Sequence, residues 1–436
     1  MLKILKIKSK CFIILLSLVL PLYLFADEPL PGQIIVDPEN PQWLKYAGAG
    51  PFFLCGPGDP EDFLYRGSRI SDGTRSGDQM ELINKLAQSG ANSIYLQAVR
   101  SHGGDGNKTH NPFIDSEPSR GVSTKILEQW EVWFDEMERD GIVIFFFFYD
   151  DDAKIWNTGD RVDSAEREFI ETIVNYFEHH KHLIWVVAEE YQEEFSARRV
   201  SNIASAIRAA DDYDHVIGVH KLNGLDFSEF ANDPNIDQFV MQYNKTSIRE
   251  LNRGMAEAWE DAKNKYNLNM AEAADHGTGK TMRQKNWACA MGGTYVMVLG
   301  MDIKNSSTSD LKMCGYLHEF MEQRKFYEMS PHNDLVSNSN VNFCLAKPGE
   351  EYIVYLSNGG GVTVDLSAAS GQAKVQWFDP GTGKYSEISN VAAQQRTDFD
   401  SPFAEDAVLL IRTNETDTTA PSAPKDLTVS PQTKGF

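Results

Sequence analysis

The residues best suited to do chemistry in this chain sit directly after short apolar runs. Arg100 and His102 follow residues 93–98, and Tyr149 with Asp150-Asp151-Asp152 follows 142–148. Glu189 and Glu190 follow 183–188; His220 and Lys221 follow 215–219; Tyr243 and Asn244 follow 238–242. Glu272 ends the run that starts at 268, with Asp275 and His276 beyond it, and Asp302 comes after 294–299. With the run at 52–55 there are eight such runs, and glutamates close the fourth and the seventh. Two carboxyl groups that face each other across a sugar can cleave a glycosidic bond. One protonates the leaving oxygen, and the other attacks the anomeric carbon or activates a water to do so.

The elements that must position these groups alternate strand and helix. Runs such as Val143-Ile144-Phe145-Phe146-Phe147-Phe148 are apolar without a break, which suits parallel strands covered on both faces. Helical patterns occupy 79–88, 124–139, 197–210, 248–265, 281–291 and 310–326. A further helix is signalled by Asp163 as N-cap, Glu166 three residues on, and a face of Phe169, Ile173, Val174 and Phe177. Only a stub at 227–231 lies between the fifth and sixth runs. The fold class predicted is α/β: a (β/α)8 barrel, with an open doubly wound sheet as the other candidate. In a barrel the C-terminal strand ends form one mouth, so strands four and seven place their glutamates on opposite walls.

From residue 333 short β-forming runs alternate with Gly-rich turns, such as Asn358-Gly359-Gly360-Gly361, and predict a small antiparallel β-sandwich. The expected division is a signal peptide at 1–26, the barrel at 27–332, the sandwich at 333–413, and a linker with the start of a truncated module at 414–436. Lys3, Lys6, Lys8 and Lys10 precede an apolar stretch ending at Ala26, the pattern of a secretory signal. Its cleavage would leave a secreted chain with no integral membrane segment. The 436 residues carry 63 acidic against 41 basic side chains, a net charge of −22, which repels phosphate backbones and excludes nucleic acid as an expected partner. A monomer is expected. The cysteines beyond the signal, Cys55, Cys289, Cys314 and Cys344, have no zinc-motif spacing and read as buried small hydrophobes.

Other motifs carry less. Residues 274–281 imitate a phosphate loop, but Ala274 replaces its first glycine, and an exported protein meets little nucleoside triphosphate. No Gly-x-Ser-x-Gly or His-Glu-x-x-His pattern occurs. His179-His180-Lys181-His182 sits at a helix C-terminus, where cations complement the dipole, and that reading is preferred to a metal cluster. Asp150-Asp151-Asp152 lacks an EF-hand continuation. No metal and no cofactor are expected. Trp43, Trp156 and Trp287 are each more readily core than sugar platform, with Trp156 the best platform of the three.

The strand-four ending Leu183-Ile184-Trp185-Val186-Val187-Ala188-Glu189-Glu190 resembles that of clan A glycoside hydrolases, with Glu189 where that clan has Asn. The resemblance implies Glu190 as acid/base, Glu272 as nucleophile, and Tyr243 as the tyrosine that hydrogen-bonds the nucleophile. Val36-Asp37-Pro38-Glu39-Asn40-Pro41, Phe52-Phe53-Leu54-Cys55-Gly56, and Met291-Gly292-Gly293-Thr294-Tyr295 resemble apiosidase-like barrels. Trp377-Phe378-Asp379-Pro380-Gly381-Thr382-Gly383 resembles the β-domain, labelled collagen-binding, that follows them. The family implies a carbohydrate-active barrel with a fused β-sandwich and does not fix the sugar. The function expected of the chain is a secreted, retaining glycoside hydrolase acting on a plant or algal polysaccharide or its oligosaccharides. Arg100, His102, Tyr149, Asp150, Trp156 and Glu189 are expected to line its substrate site, together with His220, Tyr243, His276 and Asp302. The alternative is a noncatalytic carbohydrate- or matrix-binding protein on the same scaffold, favoured by the Glu189 replacement. A hydrolase using its acidic rim to hold a metal is a further rival.

Overall fold

The computed structural model describes residues 28–58, 63–263, 265–273, 276–299, 302–393 and 395–413. The expected signal peptide and the terminal linker lie outside them. Eight parallel strands form one sheet: β1 (Cys55–Gly58), β2 (Ser93–Val99), β3 (Val143–Tyr149), β4 (Leu183–Ala188), β5 (Ile217–Lys221), β6 (Gln238–Gln242), β7 (Asn267–Glu272) and β8 (Tyr295–Leu299). Their order is β1-β8-β7-β6-β5-β4-β3-β2. Asn92 closes the seam between the two ends. Its side chain accepts from Cys55 N and donates to Phe53 O, both at 2.8 Å, and its backbone N–H reaches Cys55 O at 3.1 Å.

Seven helices among the described residues surround the sheet: α1 (Gln79–Ala87), α2 (Thr124–Arg139), α3 (Ser164–Phe177), α4 (Ala197–Ala210), α5 (Ile248–Ala262), α6 (Gly279–Met291) and α7 (Thr308–Glu322). The expected cap of α3 forms, with the Asp163 carboxylate accepting from Glu166 N at 3.0 Å. The stub at 227–231 forms turns, so β5 runs to β6 without a helix. Helix α6 begins at Gly279, two residues before the helical pattern expected from 281. Strand β5 starts two residues later than the apolar run. Asp211 holds His215 by its backbone N–H (2.7 Å) and its Nδ1 (2.8 Å), below the ladder. That shift puts His220 and Lys221 within the strand rather than beyond it.

The unbroken apolar run of β3 is packed on both sides. Phe147 stacks on Tyr95 at 4.1 Å and meets the His220 ring edge-on at 6.1 Å, inside the barrel. Phe146 points outward to Phe134 of α2 and Phe177 of α3. The lead-in segment forms a hairpin, Ile34–Val36 with Leu44–Tyr46, under the opposite end of the barrel from the mouth. Ile34 N donates to Lys181 O at 2.9 Å, just before β4, and Tyr46 packs on Phe52.

The C-terminal domain is antiparallel. Strands Asn342–Lys347, Glu351–Leu356, Ala407–Arg412 and Gln372–Asp379 are consecutive neighbours in its main sheet, and Gly361–Asp365 pairs with Arg396–Asp400 in a second. The period of two divides the sheet's faces. Phe343, Leu345, Ile353 and Tyr355 join the barrel's core, while Cys344, Val354 and Leu356 face Val362, Val364 and Phe399. Trp287 of α6 stacks on Tyr355 at 5.6 Å, and Phe320 of α7 meets Phe378 at 4.8 Å. All four cysteines among the described residues are buried and free. No helix among these residues is long and apolar enough to cross a membrane.

One buried ion pair ties the two domains. Arg283 Nε donates to Asp406 Oδ2 at 2.8 Å, and the Tyr355 hydroxyl donates to the same oxygen at 2.9 Å. Removing one partner leaves a charge inside an apolar junction. Arg283→Met is expected to cost about 3–5 kcal/mol of unfolding free energy, read from urea denaturation of the full chain. Arg283→Met with Asp406→Leu should recover part of that loss.

Candidate active site

The mouth is built where β4, β5, β6 and β7 end. Within β6, Phe239 packs outward on Phe227 at 4.5 Å, so the alternation turns Gln238, Val240 and Gln242 inward. Regular alternation in β7 would send Asn269 and Ala271 inward and Glu272 outward. The pairing prevents this: Met241 faces Met270, but Gln242 faces Glu272, with a register shift between them. A bulge that re-aims a side chain beside a mouth is a familiar device in sheets. Here it swings the Glu272 carboxyl in beside Gln242.

Glu190 arrives by a second departure from strand geometry. Strand β4 ends at Ala188, and Glu190 takes a left-handed backbone, φ 36° and ψ 47°. For a residue with a Cβ this conformation is disfavoured and marks a position held by its surroundings. His220 holds it: Glu190 N donates to His220 Nδ1 at 2.9 Å. Burial drives the His220 pKa down to about 3, so the ring is neutral and its Nδ1 lone pair is free to accept. The rule that adjacent strand residues face opposite ways therefore ends before this pair. Glu189 turns inward too, and its Oε2 accepts from Gln97 Nε2 at 2.6 Å beside the Tyr95 phenol.

Gln242 stands with both carboxyl groups. Its Nε2 donates to Glu190 Oε1 at 2.5 Å, and Glu272 is its register partner on β7. Its own oxygen accepts from Asn223 N, which orients the amide. Burial, with the Glu272 charge next, pushes the Glu190 pKa up to about 7, against the lowering by Gln242. Burial also raises Glu272, again opposed by Gln242. At neutral pH one site therefore offers a carboxyl group near its point of proton exchange and a partner carboxylate opposite. That is the equipment of general acid catalysis next to a nucleophile or base.

Glu189, Glu190, His220 and Glu272 thus come together. Several of the expected substrate contacts do not join them. Arg100 is buried and donates to its own loop, to His110 O at 3.1 Å and Asn107 O at 2.6 Å, with its guanidinium over Tyr65. Tyr149 turns outward, where its hydroxyl donates to Glu166 Oε1 at 2.8 Å. Trp156 packs on Phe169 of α3 at 5.3 Å and on Phe113, in that same outer cluster. Trp43 and Trp287 are core. Tyr243 donates only its backbone N–H to Glu272 O, at 2.8 Å. Its ring lies over Gly254 of α5, where a methyl group would meet Cε1 at 2.6 Å. Strand parity is the reason, and Gln242, one residue earlier, is the register partner of Glu272. His276 turns to Asn286 of α6 at 3.4 Å, and burial lowers its pKa to about 4. Asp302 accepts from Lys304 N at 2.8 Å and organises the turn into α7.

The remaining two expected contacts form part of the rim. Asp150 is buried and accepts from Ser101 N (2.8 Å), Ser101 Oγ (3.0 Å) and His102 N (3.3 Å), so it anchors the loop after β2. His102 stands half-exposed, with Nδ1 at 3.2 Å from Asp151 and 3.3 Å from Asp150. Donor atoms of His102, Asp150 and Asp151 lie within 4.8 Å of one another, as do those of Asp151, Asp152 and Glu193. The hydrogen bonds just named occupy Asp150 and account for the first group. The second is an acidic stretch of rim beside Glu190, and burial together with Asp151 and Asp152 raises the Glu193 pKa.

The architecture has known counterparts. The chain superposes on a solved structure titled "Glycoside hydrolase" with a TM-score of 0.70 at 14% identity, covering 89% of this chain and 99% of that one. A glycoside hydrolase family 5 structure from Bacteroides vulgatus ATCC 8482 matches with a TM-score of 0.69, 14% identity, and 90% and 96% coverage. The chain shares the fold of these two structures. Residues 331–412 match the family described as "Putative collagen-binding domain of a collagenase". No curated protein matches the sequence.

Gln242, Gln97 and Tyr95 are site residues that reading the ends of the runs passed over. Their signal was present, since each is a polar group at inward parity within an otherwise apolar strand. Gln242→Leu keeps the shape and removes the donor to Glu190. It is expected to lower kcat about 10²–10³-fold on any hydrolysed glycan. Because Gln242 lowers both carboxyl pKa values, both limbs of the kcat/KM–pH profile should move to higher pH. A profile unchanged in position would contradict this role.

Proposed function

We propose that the chain is a secreted glycoside hydrolase acting with retention on a neutral plant or algal polysaccharide or its oligosaccharides. The observation that carries this reading is the pair of raised carboxyl groups, Glu190 and Glu272, brought to Gln242 at the mouth of this fold. Retention requires the two carboxyl groups about 5–5.5 Å apart rather than the ~6.5–9.5 Å that leaves room for an inverting water. In the first half-reaction Glu272 attacks the anomeric carbon and Glu190 passes its proton to the departing oxygen. In the second, Glu190 takes a proton from water, whose oxygen displaces Glu272 and restores both groups.

Neutral sugars suit the charges around the mouth. Arg100 is spent on loop carbonyls, and Lys221 is paired with Glu229 at 2.6 Å. Asp151, Asp152 and Glu193 would repel a uronic or sulfated chain. Among families with this fold, the apiosidase-like barrels are the proposed relatives. The order of the motifs from Val36 to Gly383 supports that choice, as does a matching β-domain at 331–412. Export follows from the basic and apolar stretch before Ala26.

A panel of neutral and anionic glycans tests this with wild type, Glu190→Gln and Glu272→Ala. Wild type should cleave neutral members with retained anomeric configuration by NMR. Glu190→Gln should lose about 10²–10⁴-fold in kcat/KM, and Glu272→Ala should lose turnover. The acid must carry its proton, so wild-type kcat/KM should fall as pH rises through about 7. It should fall on the acid side where Glu272, itself raised, gains a proton. Glycan binding without cleavage by wild type would instead support a noncatalytic binder, and equal activity in all three proteins would remove the assignment.

A further inference from the structure

Helix α2 and the turn after α3 bring four metal-donor side chains together away from the mouth. Glu131 and Asp135 stand one turn apart on α2, at i and i+4, on one face. His179 and His180 follow α3 on the way into β4. A donor atom of each lies within 4.8 Å of every other. The two imidazole centroids are 4.3 Å apart. Both Nε2 atoms turn to the Glu131 carboxylate, at 2.9 Å for His179 and 3.3 Å for His180. The sequence alone showed only histidines at a helix end; the carboxylates come from a helix some 45 residues earlier.

A separate observation points to a ligand. His180 is buried, and its far nitrogen, Nδ1, lies 3.4 Å from Glu138 Oε2. That oxygen is itself fixed by Lys181 N at 2.6 Å. A carboxylate behind the far nitrogen is the usual support of a metal-bound imidazole, because it keeps the N–H on Nδ1 and leaves the Nε2 lone pair for the ion. His180 Nε2, His179 Nε2 and the carboxylates of Glu131 and Asp135 therefore converge on one point, where a cation would be held from several sides.

We propose that Glu131, Asp135, His179 and His180 bind a divalent transition-metal ion of the zinc class, with Glu138 positioning His180. Two imidazoles and two carboxylates suit tetrahedral zinc, with ligand bonds of about 2.0–2.2 Å. Calcium takes only oxygens, about six to eight of them. Asp135 and His179 are exposed, so the ion can enter and these two side chains can close on it. The bound ion staples α2 to the entry of β4, far from Glu190 and Glu272, and its effect is on stability rather than on chemistry. The competing occupant is protons, with both histidines charged in ion pairs to Glu131 and Glu138.

The full chain, stripped with a chelator and dialysed against zinc chloride, distinguishes the two. Metal analysis should find one zinc per chain, cobalt(II) should give the visible absorption of a tetrahedral site, and added zinc should raise the thermal midpoint. The exposed His179→Ala should fold as wild type does, by far-UV circular dichroism, yet lose the zinc and the thermal gain. Glu138→Gln should bind about 10- to 100-fold more weakly. Wild type that retains no zinc, or His179→Ala and Asp135→Asn binding zinc as wild type does, would overturn the proposal in favour of proton-held ion pairs.

Discussion

Two half-buried carboxyl groups in one mouth cannot both be ionised cheaply. That constraint organises the mouth. Burial and the neighbouring charge raise Glu190, and Gln242 partly offsets the rise in both groups. The result is a pair whose proton affinities are both raised, Glu190 to about 7. Everything around the pair serves to hold it. The β6–β7 register shift brings Glu272 inward, His220 anchors the backbone of Glu190, and Asn223 orients the Gln242 amide.

A left-handed glutamate is disfavoured by roughly 1–3 kcal/mol, and two neighbouring carboxyls add to the cost. The scaffold carries these costs because its strands are covered on both faces. Phe147, Tyr95 and His220 fill the interior, and Phe146 meets α2 and α3 outside. The N-terminal hairpin covers the far end, and the β-domain lays one face of its main sheet on α6 and α7. That domain shares a continuous apolar core with the barrel, so its position is fixed by packing as well as by the Arg283–Asp406 pair.

Much of this was legible in the residues themselves. Unbroken apolar runs named the strands, and β4 and β6 fall on the expected residues. The Asp163 cap and the period-two pattern after residue 333 also read correctly, because each rests on local chemistry. The errors share one cause. Arg100, Tyr149, Trp156 and Tyr243 follow or end strands as expected, but which way a side chain turns depends on parity, register and where the ladder stops. Those are settled by a neighbouring strand, as Met241 shows in setting β7 out of step.

Composition and periodicity by themselves determined a strand–helix alternation with acids at the ends of strands four and seven, followed by an antiparallel domain. They did so because burial on two faces demands continuous apolar runs and polar groups must emerge at their ends. Only the tertiary structure decided that Gln242 donates to Glu190, that Glu190 is left-handed, and that Glu131 and Asp135 meet His179 and His180. Each of these joins residues distant in sequence, and no local pattern records such a meeting.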